Sequence, residues 1–141
     1  MNPTLIERIL RYLLGAMLAF FGLNNFFHFW TPPAPTETGG PFLGALAASG
    51  YVFPLIGVVF VLSAVLLFVN RAVPFALVLL SSIIVHILAF HLVVDDSIGH
   101  VGGGALLAII TLAIAWFRRG AFTELFTSRA PSRSKDLLPG A

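Results

Sequence analysis

Apolar residues in this chain gather in four long runs, Leu13 to Trp30, Tyr51 to Val69, Val73 to Val94 and Val101 to Phe117, with polar positions concentrated between them. Each run is close to the roughly 20 residues that a helix rising about 1.5 Å per residue needs to cross some 30 Å of hydrocarbon. No Asp, Glu, Lys or Arg falls inside any run. A charge at the centre of a span costs on the order of 2.5 to 3.5 kcal/mol on insertion scales, so runs of this length without one predict membrane spans rather than core helices of a water-soluble domain.

The breaks between runs carry the turn chemistry. Thr31-Pro32-Pro33-Ala34-Pro35 cannot continue a helix, so the first span is predicted to stop after Trp30 and the chain to run extended at the outer surface. Pro41 restarts it and Gly50 suits a left-handed C-terminal position, so Phe42 to Ser49 reads as a short helix lying in the interface as a lid or re-entrant element. Pro54 and Pro74 fall in the first turns of the second and third spans, where a missing N–H costs little. The connection between those spans is only Asn70 and Arg71, which forces an antiparallel hairpin. Gly15 with Ala19, Gly99 with Gly103 and Gly104 with Ala108 have the spacing that lets helices approach closely.

After Phe117, the placing of Phe122, Leu125 and Phe126 at i, i+3 and i+4 predicts a surface-lying helix, and from Arg129 the composition predicts a disordered tail. The expected fold class is all-α: a polytopic membrane protein, an antiparallel four-transmembrane-helix bundle. Its spans are expected at about 9–30, 51–69, 72–94 and 98–118 with an interfacial helix at about 41–49, and residues 121–141 form a cytoplasmic segment.

Charge orients this bundle. Arg8, Arg11, Arg71, Arg118, Arg119, Arg129, Arg133 and Lys135 lie at the N-terminus, the second connection and the C-terminus, whereas the other two connections carry only Glu37, Asp95 and Asp96. Basic residues stay on the cytoplasmic side of a membrane, so both termini are expected there, in a bacterial cytoplasmic (inner) membrane. The first run is longer than the roughly 7 to 15 apolar residues of a signal peptide and lacks a clear small-x-small site, which favours its retention as a span.

A chain that is 58% hydrophobic and 10% charged, with a mean hydropathy of +0.98, is far from a soluble domain with about 25% charge. The pI near 9.7 reflects a net charge of only +2 spread along cytoplasmic edges, so nucleic acid is not an expected partner and the bilayer is. There are no cysteines, which excludes intrinsic dithiol exchange, thiolate catalysis and iron–sulfur ligation. Gly102-Gly103-Gly104 has neither a preceding strand nor a lysine, so a nucleotide cradle is not expected.

Polar residues inside the spans are few, and chemistry would have to use them: Asn24, Asn25 and His28, then Ser63, then Ser81, Ser82, His86 and His91, then Thr111. Asn24 and His28 are four apart, as are Ser82 and His86, so each pair shares a helix face. His28 and His91 match in depth near the outer surface, and Asn24 and His86 lie about 9 to 13 Å in from that surface. Three readings follow. The histidines hydrogen-bond within the bundle and at its rim; or His28 and His91 ligate a haem or metal; or one His and one Asn contact a quinone-like apolar ligand. Asn24, His28, His86 and His91 are therefore the candidate cofactor-binding residues, no metal ligand set is assigned, and no catalytic residue is identified. Quinone and haem are compatible with these residues and neither is required. Asp95 and Asp96 read as a solvated turn, with Asp96 or Ser97 capping the fourth span.

Between roughly Arg8 and Arg118 the chain carries, in order, Leu14-Gly15, Phe21-Gly22-Leu23-Asn24, Phe42-Leu43-Gly44-Ala45-Leu46, Gly50-Tyr51-Val52-Phe53-Pro54, Asn70-Arg71-Ala72-Val73-Pro74, Ile83-Ile84-Val85-His86 and Phe90-His91-Leu92. Through this run of motifs it resembles the DoxX family of small four-span membrane proteins. It departs from the family pattern at His86, where relatives often carry Asn, and near Asn25, where they often carry Lys. The resemblance implies a membrane subunit linked to redox systems, since relatives include the membrane part of a thiosulfate:quinone oxidoreductase and proteins of oxidative-stress assemblies.

The expectation is thus an accessory subunit that couples a partner oxidoreductase to the quinone pool, working with other protein subunits; a homo-oligomer is compatible with it. A non-catalytic structural or assembly subunit of a larger membrane complex is the alternative. A small-solute transporter is a second alternative, disfavoured because no internal charge marks a pathway.

Overall fold

A computed structural model describes residues 3–95 and 98–127, and the fold they form is all-α, with no strand among them. The elements are α1 (Pro3–Phe27), α2 (Gly39–Ala48), α3 (Val52–Phe68), α4 (Val73–Ala89, prolonged by a π turn over Phe90–Val94), α5 (Ile98–Phe117) and α6 (Arg119–Thr127). The expected tail from Arg129 and the expected cap at Asp96 or Ser97 lie outside the described residues.

The four long helices close a ring: α1 packs on α3, α3 on α4, α4 on α5 and α5 on α1, while α2 touches α3 and the π turn. Leu14 and Leu18 of α1, Phe60, Ala64 and Leu67 of α3, Leu77, Leu80 and Ile84 of α4, and Leu107, Ile110 and Ile114 of α5 form one continuous buried cluster. One close approach is between α1 and α3, where a Cβ on Gly22 would lie 2.9 Å from Phe60 Cβ and 3.1 Å from the Val61 backbone nitrogen. Only glycine fits there. Gly15, one of the expected small-residue positions, faces the Phe68 ring, and Gly104 faces Ile87, whereas Gly103 has nothing near it.

Helix ends follow the sequence in part, although α1 begins at Pro3 rather than near residue 9 and α2 begins at Gly39, ahead of Pro41. Gly50 is left-handed after α2 (φ +74°), and Pro54 and Pro74 sit in first turns. At the hairpin, α3 ends in a Schellman motif: Asn70 (φ +55°) donates its N–H to the Leu67 carbonyl at 3.2 Å and Arg71 donates to the Leu66 carbonyl at 3.1 Å. Asparagine tolerates that conformation better than other non-glycine residues. The far end of α1 differs as well, the helix stopping at Phe27 rather than Trp30. His28 adopts φ +50°, and the Asn24 side chain grips the turn beyond it, Oδ1 accepting from Trp30 N at 2.7 Å and Nδ2 donating to Trp30 O at 2.9 Å.

By length and composition one helical stretch, Val73–Val94, can cross a membrane, and a second can if α2 and α3, bent by 85° at their junction, act as one; Val101–Phe117 is apolar but shorter.

Candidate functional site

The four residues singled out by the sequence have different surroundings. Asn24 is half-buried and spends its amide on Trp30, fastening that indole beside Phe20 and Phe21, with ring centroids 6.1 and 5.8 Å away. His28 is exposed at its left-handed turn. His86 is exposed on the outward face of α4, with Nδ1 2.9 Å from the Ser82 carbonyl. A carbonyl only accepts, so Nδ1 carries a proton, which in the neutral ring leaves Nε2 as an acceptor. His91 places Nδ1 3.2 Å from Asp95 Oδ2.

Asp95 is the residue that sequence reasoning misplaced. Instead of a solvated turn it is a buried carboxylate, 1% exposed, at the centre of the acidic end of the bundle. The π turn delivers it there: Asp95 N–H donates to Phe90 O at 2.8 Å, and this wider turn directs the side chain under the loop that follows α1. Oδ1 accepts from Thr36 N at 3.0 Å and from Thr36 Oγ1 at 2.6 Å. Gly39 lies directly behind it, and a Cβ on that glycine would overlap Oδ1. Phe42 of α2 stacks on Phe90 with centroids 5.6 Å apart, completing a cap in which the Pro-rich loop, α2 and the end of α4 are joined. The i, i+4 spacing of His91 and Asp95 was the available signal, whereas Thr36 is 59 residues away and offered none.

The opposite end is polar too. Arg11 is 4% exposed, donates Nη1 to the Leu67 carbonyl at the end of α3, and has Nε 3.3 Å from Glu7 Oε1. Arg118, at the end of α5, places Nε and Nη2 each 2.8 Å from the same Glu7 oxygen and donates Nη2 to Asn70 Oδ1 at 2.5 Å. Glu7 thus joins two arginines, and the start of α1, the α3–α4 hairpin and the end of α5 are bound together.

Between the two ends the buried polar side chains are hydroxyls, Ser63 and Thr111, set among aliphatic neighbours. Two open grooves lie near the basic end, one of about 310 Å³ lined by Thr4, Glu7, Phe117 and Arg118, the other of about 360 Å³ lined by Leu112, Ala115, Trp116, Arg119 and Phe122. Among the described residues no three His, Asp or Glu side chains are grouped so as to hold a metal ion. The chain matches no family model, no curated protein and no solved structure.

Proposed function

We propose that this chain is a DoxX-like integral membrane subunit, a four-span bundle of the bacterial cytoplasmic membrane with both termini inside, that serves a redox assembly by anchoring a partner oxidoreductase beside the quinone pool. The observation that carries the membrane part is the surface. Large apolar side chains stand exposed on every long helix, including Leu13, Phe20 and Leu23 on α1, Leu55, Val58, Leu62 and Val65 on α3, Phe75, Val78 and Val85 on α4, and Leu106, Ile109 and Leu112 on α5. Soluble monomers rarely expose contiguous apolar patches beyond several hundred Å², whereas hydrocarbon solvates such a belt. The charged clusters at Glu7, Arg11 and Arg118 and at Asp95 then sit at opposite ends, as the two interfaces require.

An accessory role is favoured over an independent enzyme by the local bonding of Asn24, His86 and His91, whose side chains are held by Trp30, the Ser82 carbonyl and Asp95 in turn. The redox association rests on the resemblance to DoxX proteins. The small-solute transporter draws no support from this geometry. The test is to extract the full chain gently from its native membrane, record its absorption spectrum, and identify co-purifying lipids and proteins by mass spectrometry. A co-purifying oxidoreductase together with quinone supports the redox role. Partners with no redox component replace it with the assembly-subunit alternative. A Soret band shows a haem in the chain, and a binding role for its histidines replaces the purely anchoring one.

A further inference from the structure

Polar side chains at the middle of the longest apolar stretch face outward. Ser81, Ser82 and His86 are all exposed, alongside Val78, Val85 and Ala89, whereas the opposite face of α4 is buried through Val73, Ala76, Leu77, Leu80 and Ile84. At about 1.5 Å per residue, these three side chains lie within about 4 Å of the midpoint of Val73–Val94. On the membrane reading proposed above, on which this inference rests, that is the depth at which acyl chains offer no hydrogen-bond partner.

Their own bonds leave one group unanswered. Ser81 Oγ donates to Val78 O at 2.7 Å, Ser82 Oγ to Leu79 O at 3.1 Å and His86 Nδ1 to Ser82 O at 2.9 Å. The His86 Nε2 lone pair is thereby directed to whatever lies beyond this chain. We infer that the Ser81–Ser82–His86 stripe of α4 is the contact between two copies of this chain, in a parallel dimer whose two-fold axis is the membrane normal.

The stripe is complementary to itself. Each serine hydroxyl donates only to a carbonyl of its own helix and can turn to the better acceptor, an imidazole nitrogen, across an interface. A second copy inserts in the same orientation under the same charge rule, so its Ser82 and Ser81 arrive about 6 and about 7.5 Å from the depth of the facing His86. Two equivalent Ser–His bonds result. Ser81, Ser82 and Ala89 are small enough for the two backbones to approach closely, as transmembrane helix pairs require.

Because the chain has no cysteine, single thiols report cleanly on its faces. Val85→Cys lies on the stripe and Ile109→Cys on the outward face of α5; the native residues are matched in exposure at 61% and 64%. Full-length protein carrying either substitution is reconstituted at low density in phosphatidylcholine vesicles and oxidised with copper phenanthroline. Val85→Cys should give a linked dimer in at least about tenfold the yield of Ile109→Cys. Adding Ser81→Ala, Ser82→Ala and His86→Leu should lower that yield about tenfold, the effect of losing one or two interhelical bonds, while His86→Gln alone preserves it. Equal yields at the two positions, or indifference to the triple substitution, overturn the dimer. So does a linked species in native membranes whose mass is not twice 15.2 kDa, which would assign the stripe to another membrane protein. Alkaline carbonate extraction of the native membranes separates the two readings: a chain that is released was never integral, and the membrane proposal falls with the dimer. A chain that is retained but not cross-linked overturns the dimer alone.

Discussion

Asp95 shows how a single residue changes meaning between sequence and structure. A carboxylate beside a second acid in a short connection reads as solvated, yet here it is enclosed by Thr36, His91 and Gly39 and accepts two hydrogen bonds from Thr36 alone. Removing it leaves the half-buried Thr36 N–H without its acceptor, at a cost of about 1 to 3 kcal/mol. Asp95→Ala should therefore lower the unfolding free energy by that amount in a denaturing-detergent titration followed by the fluorescence of Trp30 and Trp116. Glu37→Ala, at an exposed position of the same loop, should leave it unchanged. Gly39→Ala tests the same cradle from behind, since its Cβ would overlap Oδ1, and should destabilise by about 1 to 3 kcal/mol through overpacking. Gly44→Ala on the same short helix meets nothing within 4 Å and should be neutral or stabilising.

The helices themselves were legible wherever one local force decided. Charge-free apolar runs placed α3, α4 and α5, prolines marked where α3 and α4 begin, and the two-residue Asn70-Arg71 connection gave the hairpin. The end of α1 was not legible, because it is decided by the Asn24 amide reaching the Trp30 backbone, a competition between side chain and helix that no periodicity records. Small-residue spacing was equally ambiguous: it picked out Gly15 and Gly104, which do meet neighbours, but also Gly103, which does not, and it passed over Gly22, where α1 packs tightly on α3. Gly22→Ala should accordingly cost about 1 to 3 kcal/mol by prising α1 from α3, while Gly103→Ala should gain up to about 1 kcal/mol from helix propensity. Thermal unfolding of the two variants by circular dichroism in the same detergent checks both signs at once.

For the whole molecule, the two ends of the bundle explain why charge in the sequence carried so much information. Arg118 reaches Glu7 and Asn70, so the start of α1, the α3–α4 hairpin and the end of α5 share one end, while Thr36 and Asp95 hold the other two connections together at the opposite end. This pairing of ends is a property of the packed chain and holds whatever surrounds it. It converts the charge count into a geometric statement: every basic residue within the described helices belongs to the Glu7 end or to the adjoining α6. Placed in a bilayer, that end must face the cytoplasm if the bias of basic residues governs insertion. In intact cells a membrane-impermeant maleimide should label Glu37→Cys directly and should label Arg71→Cys and Ala121→Cys only after the membrane is permeabilised. The background is silent because the native chain has no thiol. Labelling of Arg71→Cys and Glu37→Cys from the same side would be incompatible with a hairpin crossing between them. Labelling of Arg71→Cys alone in intact cells would invert the orientation, and a redox partner would then have to dock on the other face of the membrane.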